Sequence, residues 1–319
     1  MVKPIILNAA ELPEWAHDEL NALFCVADLP KDPAAAPAFL REHGKKVRGI
    51  ALRKTIIDAA LLDALPSLEI ISSYSAGLDN VDVDAVKARG IRIENTSHIL
   101  AEDVANAAIG LALALTRDLI NADRFVRDGR WPEEKQYPLG RSISNMRVGI
   151  VGLGTIGSAI ARRLHAFGSH IAYFGPSPKT VDMPYYSDVT ELALNSDMLI
   201  LTCPLTPATH HIVDASVLDA LGPDGFLVNI ARGPVVDEAA LIDALAANKI
   251  AGAALDVFEN EPQVPDALIG DRRVVLTPHL GSGTHETRRR MAENVVDTLA
   301  KHLGVVGPRE DVASVVNVA

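Results

Sequence analysis

Three ionisable residues, Arg232, Glu261 and His279, each follow a short apolar run of strand type: FLVNIA, ALDVFEN and RVVLTP. Arginine presents a planar two-pronged donor that matches a carboxylate. Histidine titrates near neutral pH and can give or take a proton. A neighbouring carboxylate orients an imidazole and favours its protonated form. Reduction of a 2-keto acid needs a cation for the carboxylate, a proton donor for the carbonyl oxygen and a hydride source. Each residue alone also has a plainer reading: a surface ion-pair member, a solvated loop acid, a core histidine after a proline turn. Their joint placement past successive strands favours chemistry, since ligands of an open parallel sheet bind beyond the carboxyl ends of its strands. His98, His165, His170, His210, His211, His285 and His302, and the pair Asp79 and Asp82, lack such context and read as structural or exposed.

The hydride source is signalled by Gly152-Leu153-Gly154-Thr155-Ile156-Gly157, which directly follows the apolar run Val148 to Val151 and opens an apolar helical pattern. Strand, glycine turn and helix form the dinucleotide-binding context. Gly152 permits the turn, Gly154 the approach of pyrophosphate and Gly157 the packing of helix on strand. Free N–H groups and the helix dipole then favour the phosphates. An acidic residue roughly 20 residues on would bind a ribose 2′-hydroxyl. The sequence there is Phe174-Gly175-Pro176-Ser177-Pro178-Lys179-Thr180. Without a carboxylate, a 2′-phosphate meets no repulsion and finds Ser177, Lys179 and Thr180, so NADP is favoured and NAD stays open.

These residues need a scaffold of alternating strands and helices. Strands are predicted at 47–52, 68–74 and 91–95, with a helix over 56–65 ending before Pro66. Further strands are predicted at 147–151, 170–174, 197–202, 225–230, 250–257 and 273–277, with helices over 154–167, 238–248 and 285–303. Such alternation implies a parallel sheet covered on both faces. A helix over Glu102 to Leu119 is apolar around most of its circumference and must be buried, between domains or subunits. Acidic residues in its first turn and Arg117 near its end match its dipole. Asp128 to Arg141 is turn-rich and reads as a crossing loop.

The chain has 319 residues, enough for two domains. Its net charge of −11 opposes binding to nucleic acid or an anionic membrane surface. Cys25 and Cys203 are its two cysteines, without metal-ligand spacing, so neither a disulfide framework nor a structural metal is expected. The apolar start, broken by Glu11, Pro13 and Glu14, reads as a strand and turn rather than a signal peptide. No run approaches the roughly 18 apolar residues of a membrane span. A cytoplasmic location is the expectation.

The segments VGIVGLGTIG, LGPDGFLVNIARGPVVDE, AALDVFENEP and LTPHLGSGT, with YSAGLDNVD and AEDVANAAIGLALAL, resemble the D-2-hydroxyacid dehydrogenase family over nearly the whole chain. Within that family the stretch from Tyr173 to Pro207 resembles glyoxylate/hydroxypyruvate reductases and hydroxyphenylpyruvate reductases. The resemblance implies an α/β fold of two Rossmann-like domains. A flavodoxin-like substrate domain (1–100 and 284–319) would carry an inserted NAD(P)-binding domain (101–283). It implies that Arg232, Glu261 and His279 are catalytic and that the backbone around Ser75, Ala76 and Gly77 holds the substrate carboxylate. Separately, Arg53 either adds a second cation to the cleft or is simply exposed. The resemblance extends the dinucleotide contacts from the glycine loop to Cys203, Pro204, Thr209, Ile230, Ala231, Asp256 and Gly281. It also implies a homodimer joined through the cofactor domains. The chain departs from the pattern at Pro176, where NADPH-using relatives usually carry arginine, and at Asn95-Thr96-Ser97-His98, where Asn-Thr-Pro is more usual. A carboxylate at Glu261 disfavours a formate dehydrogenase, while a phosphoglycerate dehydrogenase stays open, although the short tail leaves no regulatory domain. Larger keto acids (hydroxyphenylpyruvate, 2-ketogluconate) and a non-catalytic dinucleotide sensor on the same fold are the alternatives.

Overall fold

The computed structural model describes residues 2–32 and 34–305. Its contacts divide the chain into two compact units, one of residues 1–100 with the segment from 284 onward, the other of residues 101–283. The tail that the sequence analysis assigns to the substrate domain beyond residue 305 lies outside the described residues.

The first unit holds a five-stranded parallel sheet of β1 (Ile5–Ala9), β2 (Cys25–Asp28), β3 (Val47–Leu52), β4 (Ile70–Ser73) and β5 (Arg92–Glu94). The order β2-β1-β3-β4-β5 is that of flavodoxin-like sheets. β3, apart from Arg48, and β4 are buried because both faces are covered, and β4 buries Ser72 and Ser73 along with its two isoleucines. One cover is the helix His285–His302, which begins with Thr284 accepting from the Thr287 N–H. It buries Met291, Val295, Val296 and Leu299, each worth about 1.5–3 kcal/mol. Leu299 lies so close to Gly49 of β3 that a Cβ there would stand 2.9 Å from its Cδ2.

In the second unit a seven-stranded parallel sheet runs in the order β12-β11-β10-β9-β6-β7-β8. Its strands are β6 (Arg147–Val151), β7 (His170–Phe174), β8 (Tyr185–Tyr186), β9 (Met198–Leu201), β10 (Phe226–Asn229), β11 (Gly252–Leu255) and β12 (Val274–Leu276). The order reverses between β6 and β9, which is where a dinucleotide fold opens its crevice. Asp188, Asp214 and Asp237 cap the helices that follow them, each accepting backbone N–H groups of the first turn. Central strands β9, β10 and β11 are fully buried and pack on Val217, Leu218, Leu241 and Leu245.

Two expectations need correction. The long apolar helix runs from Ser97 to Thr116, so no acidic residue lies in its first turn and no basic one in its last. Asn95 sets this start by accepting the Ser97 N–H and hydroxyl. Glu102 instead bonds Arg162 and Arg163, and Arg163 also reaches Asn106. By length and composition this helix could cross a membrane, but 61% of its apolar window is buried inside the structure. The second correction concerns Asp128 to Arg141, which contains a helical turn, Trp131–Glu134, after a further helix, Leu119–Arg127.

Candidate active site

The glycine loop follows β6 at the point of reversal. Gly152 has φ +99°, and a Cβ on it would stand 2.8 Å from the backbone N and Cα of Cys203. Gly157 presses against the Gly152 carbonyl and the Thr202 hydroxyl, which donates to that carbonyl. Gly152 therefore requires glycine for contact and conformation, and Gly157, inside the helix, for contact alone. Gly154 begins the helix Thr155–Ala166, whose first turn receives no side-chain cap among the described residues. A helix start built this way suits an anion. Burial pushes the Cys203 thiol up to about 11, so it stays neutral beside the loop.

The segment after β7 folds back on this loop. Lys179 donates from Nζ to the Leu153 carbonyl at 2.5 Å, and its N–H donates to the Tyr173 hydroxyl at 2.6 Å. Ser177 and Thr180 are exposed. Thr209 accepts the Thr206 N–H at 2.8 Å and donates to the Pro204 carbonyl at 2.6 Å, fixing the turn past β9. Ile230 and Ala231 are buried just past β10. These residues fit an extended dinucleotide along the carboxyl ends of β6, β7, β9 and β10.

The three catalytic candidates follow β10, β11 and β12, which are adjacent strands with Asn229, Leu255 and Leu276 in register. Their loops are held by two buried polar residues that the apolar runs FLVNIA and ALDV carry. Asn229, 1% exposed, accepts the Ala231 N–H and donates to the Arg232 carbonyl. Asp256, 2% exposed, accepts the Thr277 hydroxyl at 2.7 Å, the Leu280 N–H at 2.8 Å and the Gly281 N–H at 2.9 Å. Its carbonyl accepts the His279 N–H at 2.8 Å. Asp256 thus anchors the His279 loop, a role the sequence reading did not give it. His279 itself has φ +53°, and its Nδ1 donates to Glu261 at 2.9 Å. That bond leaves Nε2 as the ring's outward nitrogen. Glu261 also accepts the Phe258 N–H at 3.3 Å. Arg232 is half-buried, and its Nη1 donates to the Ala231 carbonyl at 2.7 Å.

In the first unit, Arg53 follows β3 and Ser75 to Gly77 follow the neighbouring β4. Arg53 lies 5.9 Å above the Tyr74 ring and reaches Glu11 only at 3.5 Å. Ser75 donates to the Gly77 carbonyl, and Asn95 donates to the Ala76 carbonyl at 2.9 Å. Among the described residues no group of three or more His, Cys, Asp or Glu is arranged to hold a metal ion.

Residues 109–281 match the family model described as D-isomer specific 2-hydroxyacid dehydrogenase, NAD binding domain. The chain belongs to this family. It is accordingly an NAD(P)-dependent oxidoreductase of the 2-hydroxyacid dehydrogenase type, with a Rossmann nucleotide-binding fold. The hydroxyphenylpyruvate reductase of Plectranthus scutellarioides is 46% identical over 93% of this chain and 95% of its own. A glyoxylate/hydroxypyruvate reductase of Arabidopsis thaliana is similar to the same extent, 46% over 93% and 95%. The solved NADPH-dependent glyoxylate/hydroxypyruvate reductase of Sinorhizobium meliloti, in complex with NADP and malonate, superposes with a TM-score of 0.86 at 42% identity, covering 94% of each chain.

Proposed function

We propose that this 2-hydroxyacid dehydrogenase reduces small 2-keto acids of the glyoxylate and hydroxypyruvate type to D-2-hydroxy acids, with NADPH as the preferred coenzyme. The observation that carries the reading is the His279–Glu261 pair at 2.9 Å, on loops beyond strands adjacent to the one that leads to Arg232. When bound, the coenzyme supplies a hydride to the carbonyl carbon. Arg232 binds the substrate carboxylate and stabilises charge growing on the carbonyl oxygen, where a fixed donor acts without reorganising. His279 gives its Nε2 proton to that oxygen and takes one back in the oxidative direction. Glu261 fixes the ring through Nδ1. Ser75, Ala76, Gly77 and Arg53 are the substrate contacts we assign in the first unit.

For the coenzyme, Gly152, Gly154, Thr155, Ile156 and Gly157 take the pyrophosphate. Ser177, Lys179 and Thr180 take the 2′-phosphate, in place of the arginine absent at Pro176. Cys203, Pro204, Thr209, Ile230, Ala231, Asp256 and Gly281 line the remainder. The NADP complex of the Sinorhizobium relative supports this preference.

A cytoplasmic homodimer completes the proposal. The dimer is supported by the exposed apolar side chains Leu119, Ile120, Val126, Trp131 and Leu139 in one segment of the cofactor-domain unit. Side chains of that size gain by being covered.

The test is the initial rate of NADPH and NADH oxidation with glyoxylate, hydroxypyruvate, pyruvate, phenylpyruvate and 2-ketogluconate. Preference for NADPH with either of the first two is expected. Fastest turnover of phenylpyruvate or 2-ketogluconate would move the protein to larger acids. Coenzyme binding without any turnover would turn the reading to a non-catalytic sensor.

A further inference from the structure

His211 shares the left-handed backbone of His279, with φ +51°. Its N–H donates to the Pro234 carbonyl at 2.8 Å, and Val213 continues the stitching by donating to Val235 and accepting from Asp237. The segment 211–213 is therefore fastened to the chain that leaves Arg232. The ring of His211 points the other way in sequence: its Nε2 donates to Glu259 Oε1 at 2.7 Å. Glu259 lies two residues before Glu261, whose carboxylate holds His279. One histidine thus fastens the Arg232 loop by its backbone and the Glu261 loop by its ring.

The two loops also meet directly. A Cβ on Gly233 would run into the Phe258 carbonyl and the Glu259 N–H, so the backbones are in contact there. Glu259 Oε1 accepts the Glu238 N–H at 3.3 Å, and Glu238 accepts the Glu259 N–H at 3.4 Å. The charged groups facing the His211 ring are Glu259 and, 4.0 Å from Nδ1, Asp237; the His210 ring stacks on it with centroids 4.0 Å apart. Glu238 stands close by, its carboxyl raised above the usual range by burial, with a contribution from the charge of Glu259. Three carboxylates crowd together here, and the His211 ring supplies the hydrogen bond that directs one of them.

From this geometry we infer that His211 and Glu259 are a positioning pair for the reaction, setting where the Glu261 loop stands relative to Arg232. The inference rests on the reductase reading of Arg232, Glu261 and His279. Removing the ring frees the Glu259 carboxylate beside Glu238 and releases the loop that carries Glu261. A displacement of about 1 Å in a reacting constellation can cost on the order of 100-fold in rate.

The experiment compares His211→Ala, Glu259→Ala, the double variant and His211→Gln, with His210→Ala as control. Each full-length protein is labelled with 15N-histidine, and the NMR correlations of the His279 ring report whether Nδ1 carries the hydrogen bonded to Glu261. In parallel, kcat and KM are measured with hydroxypyruvate and NADPH, and coenzyme affinity by fluorescence. His211→Ala should lose the bonded Nδ1–H signal, with kcat about 10- to 100-fold lower and coenzyme affinity unchanged. Glu259→Ala should match it, and the double variant should be no worse than either. His211→Gln, which can still donate to Glu259, should restore kcat to within about threefold, and His210→Ala should keep it. An intact Nδ1–H signal in His211→Ala, additive losses, or failure of His211→Gln to restore kcat would overturn the inference. If His211→Ala does not fold, Glu259→Ala is read against the same signal and rate. A wild-type protein that reduces no 2-keto acid sinks the reductase reading instead, while the His279 signal still reports on the pair.

Discussion

Replacing Asp256 by alanine tests whether the His279 loop depends on one buried carboxylate. Asp256 accepts three hydrogen bonds, from Thr277, Leu280 and Gly281, at 2.7–2.9 Å, and is 2% exposed. Hydrogen bonds to a charged acceptor contribute roughly 1.5–3 kcal/mol each. Losing one acceptor also leaves buried donors without partners, at about 1–3 kcal/mol apiece. The three losses overlap, because the freed loop relaxes towards water, so a total of about 3–6 kcal/mol is expected rather than the full sum. In a unit of this size each kcal/mol moves Tm by about 2–4 °C, so the variant should melt on the order of 10–20 °C lower. Differential scanning calorimetry of the two proteins at one concentration and without coenzyme measures this directly. The kcat should fall as well, because the His279 N–H is held by the carbonyl of the same residue. A Tm within about 3 °C of wild type, with kcat preserved, would refute the claim that this carboxylate holds the loop.

Other perturbations have equally definite outcomes. His279→Gln should lower kcat by roughly 100- to 10,000-fold, the range of a general acid, while coenzyme titration stays as in wild type. Gly152→Ala should abolish tight coenzyme binding by calorimetric titration, since φ +99° and a 2.8 Å approach to Cys203 leave no place for a methyl group. Lys179→Ala should raise KM for NADPH several-fold more than KM for NADH in paired initial-rate assays, as loss of a cation from a phosphate site requires. Asp197→Asn should cost about 1–3 kcal/mol at pH 7 in urea unfolding. The Arg147 side chain, with its backbone N–H adding to it, holds the Asp197 carboxyl below the usual carboxylate range. A lowered folded value means that this stabilisation is present above the unfolded value of about 3.9 and is lost as pH falls through the folded one. The difference between the two proteins should therefore begin to shrink below about pH 4 and close only once pH has fallen past the lowered folded value.

The strands were the most legible part of the sequence. β3, β6 and β7 lie where apolar runs bounded by glycine or polar residues predict them, and the other predicted strands shorten by a residue or two at their ends. That follows from burial on both faces, which writes an unbroken apolar run. The start of the helix Ser97–Thr116 was harder to read, because it depends on the Asn95 side chain folding back on Ser97 rather than on periodicity. In the site, Glu261 and His279 are far apart in sequence, yet strand context sufficed to pair them. The supporting roles, including that of Asp256, which the resemblance offers only as a dinucleotide contact, escape a sequence reading for different reasons. Asn229 and Asp256 carry a signal, a polar side chain inside an apolar strand run, which demands partners once buried. His211 carries none that its own neighbourhood reveals, since its meaning comes from Glu259, 48 residues away.

The division of the chain also dictates an order of events at the ribosome. Strands β1 to β5 are made first, yet the side chains that cover β3, Leu299 among them, belong to the helix His285–His302. All of residues 101–283 must be synthesised in between. At ordinary elongation rates of about 5–20 residues per second, that interval lasts roughly 10–40 s. The nascent first sheet waits through it without this cover, while the second unit gains its whole sequence before the helix emerges. The late helix acts as a closing latch on the earliest part of the protein, and the waiting sheet is where a holding chaperone would find its client.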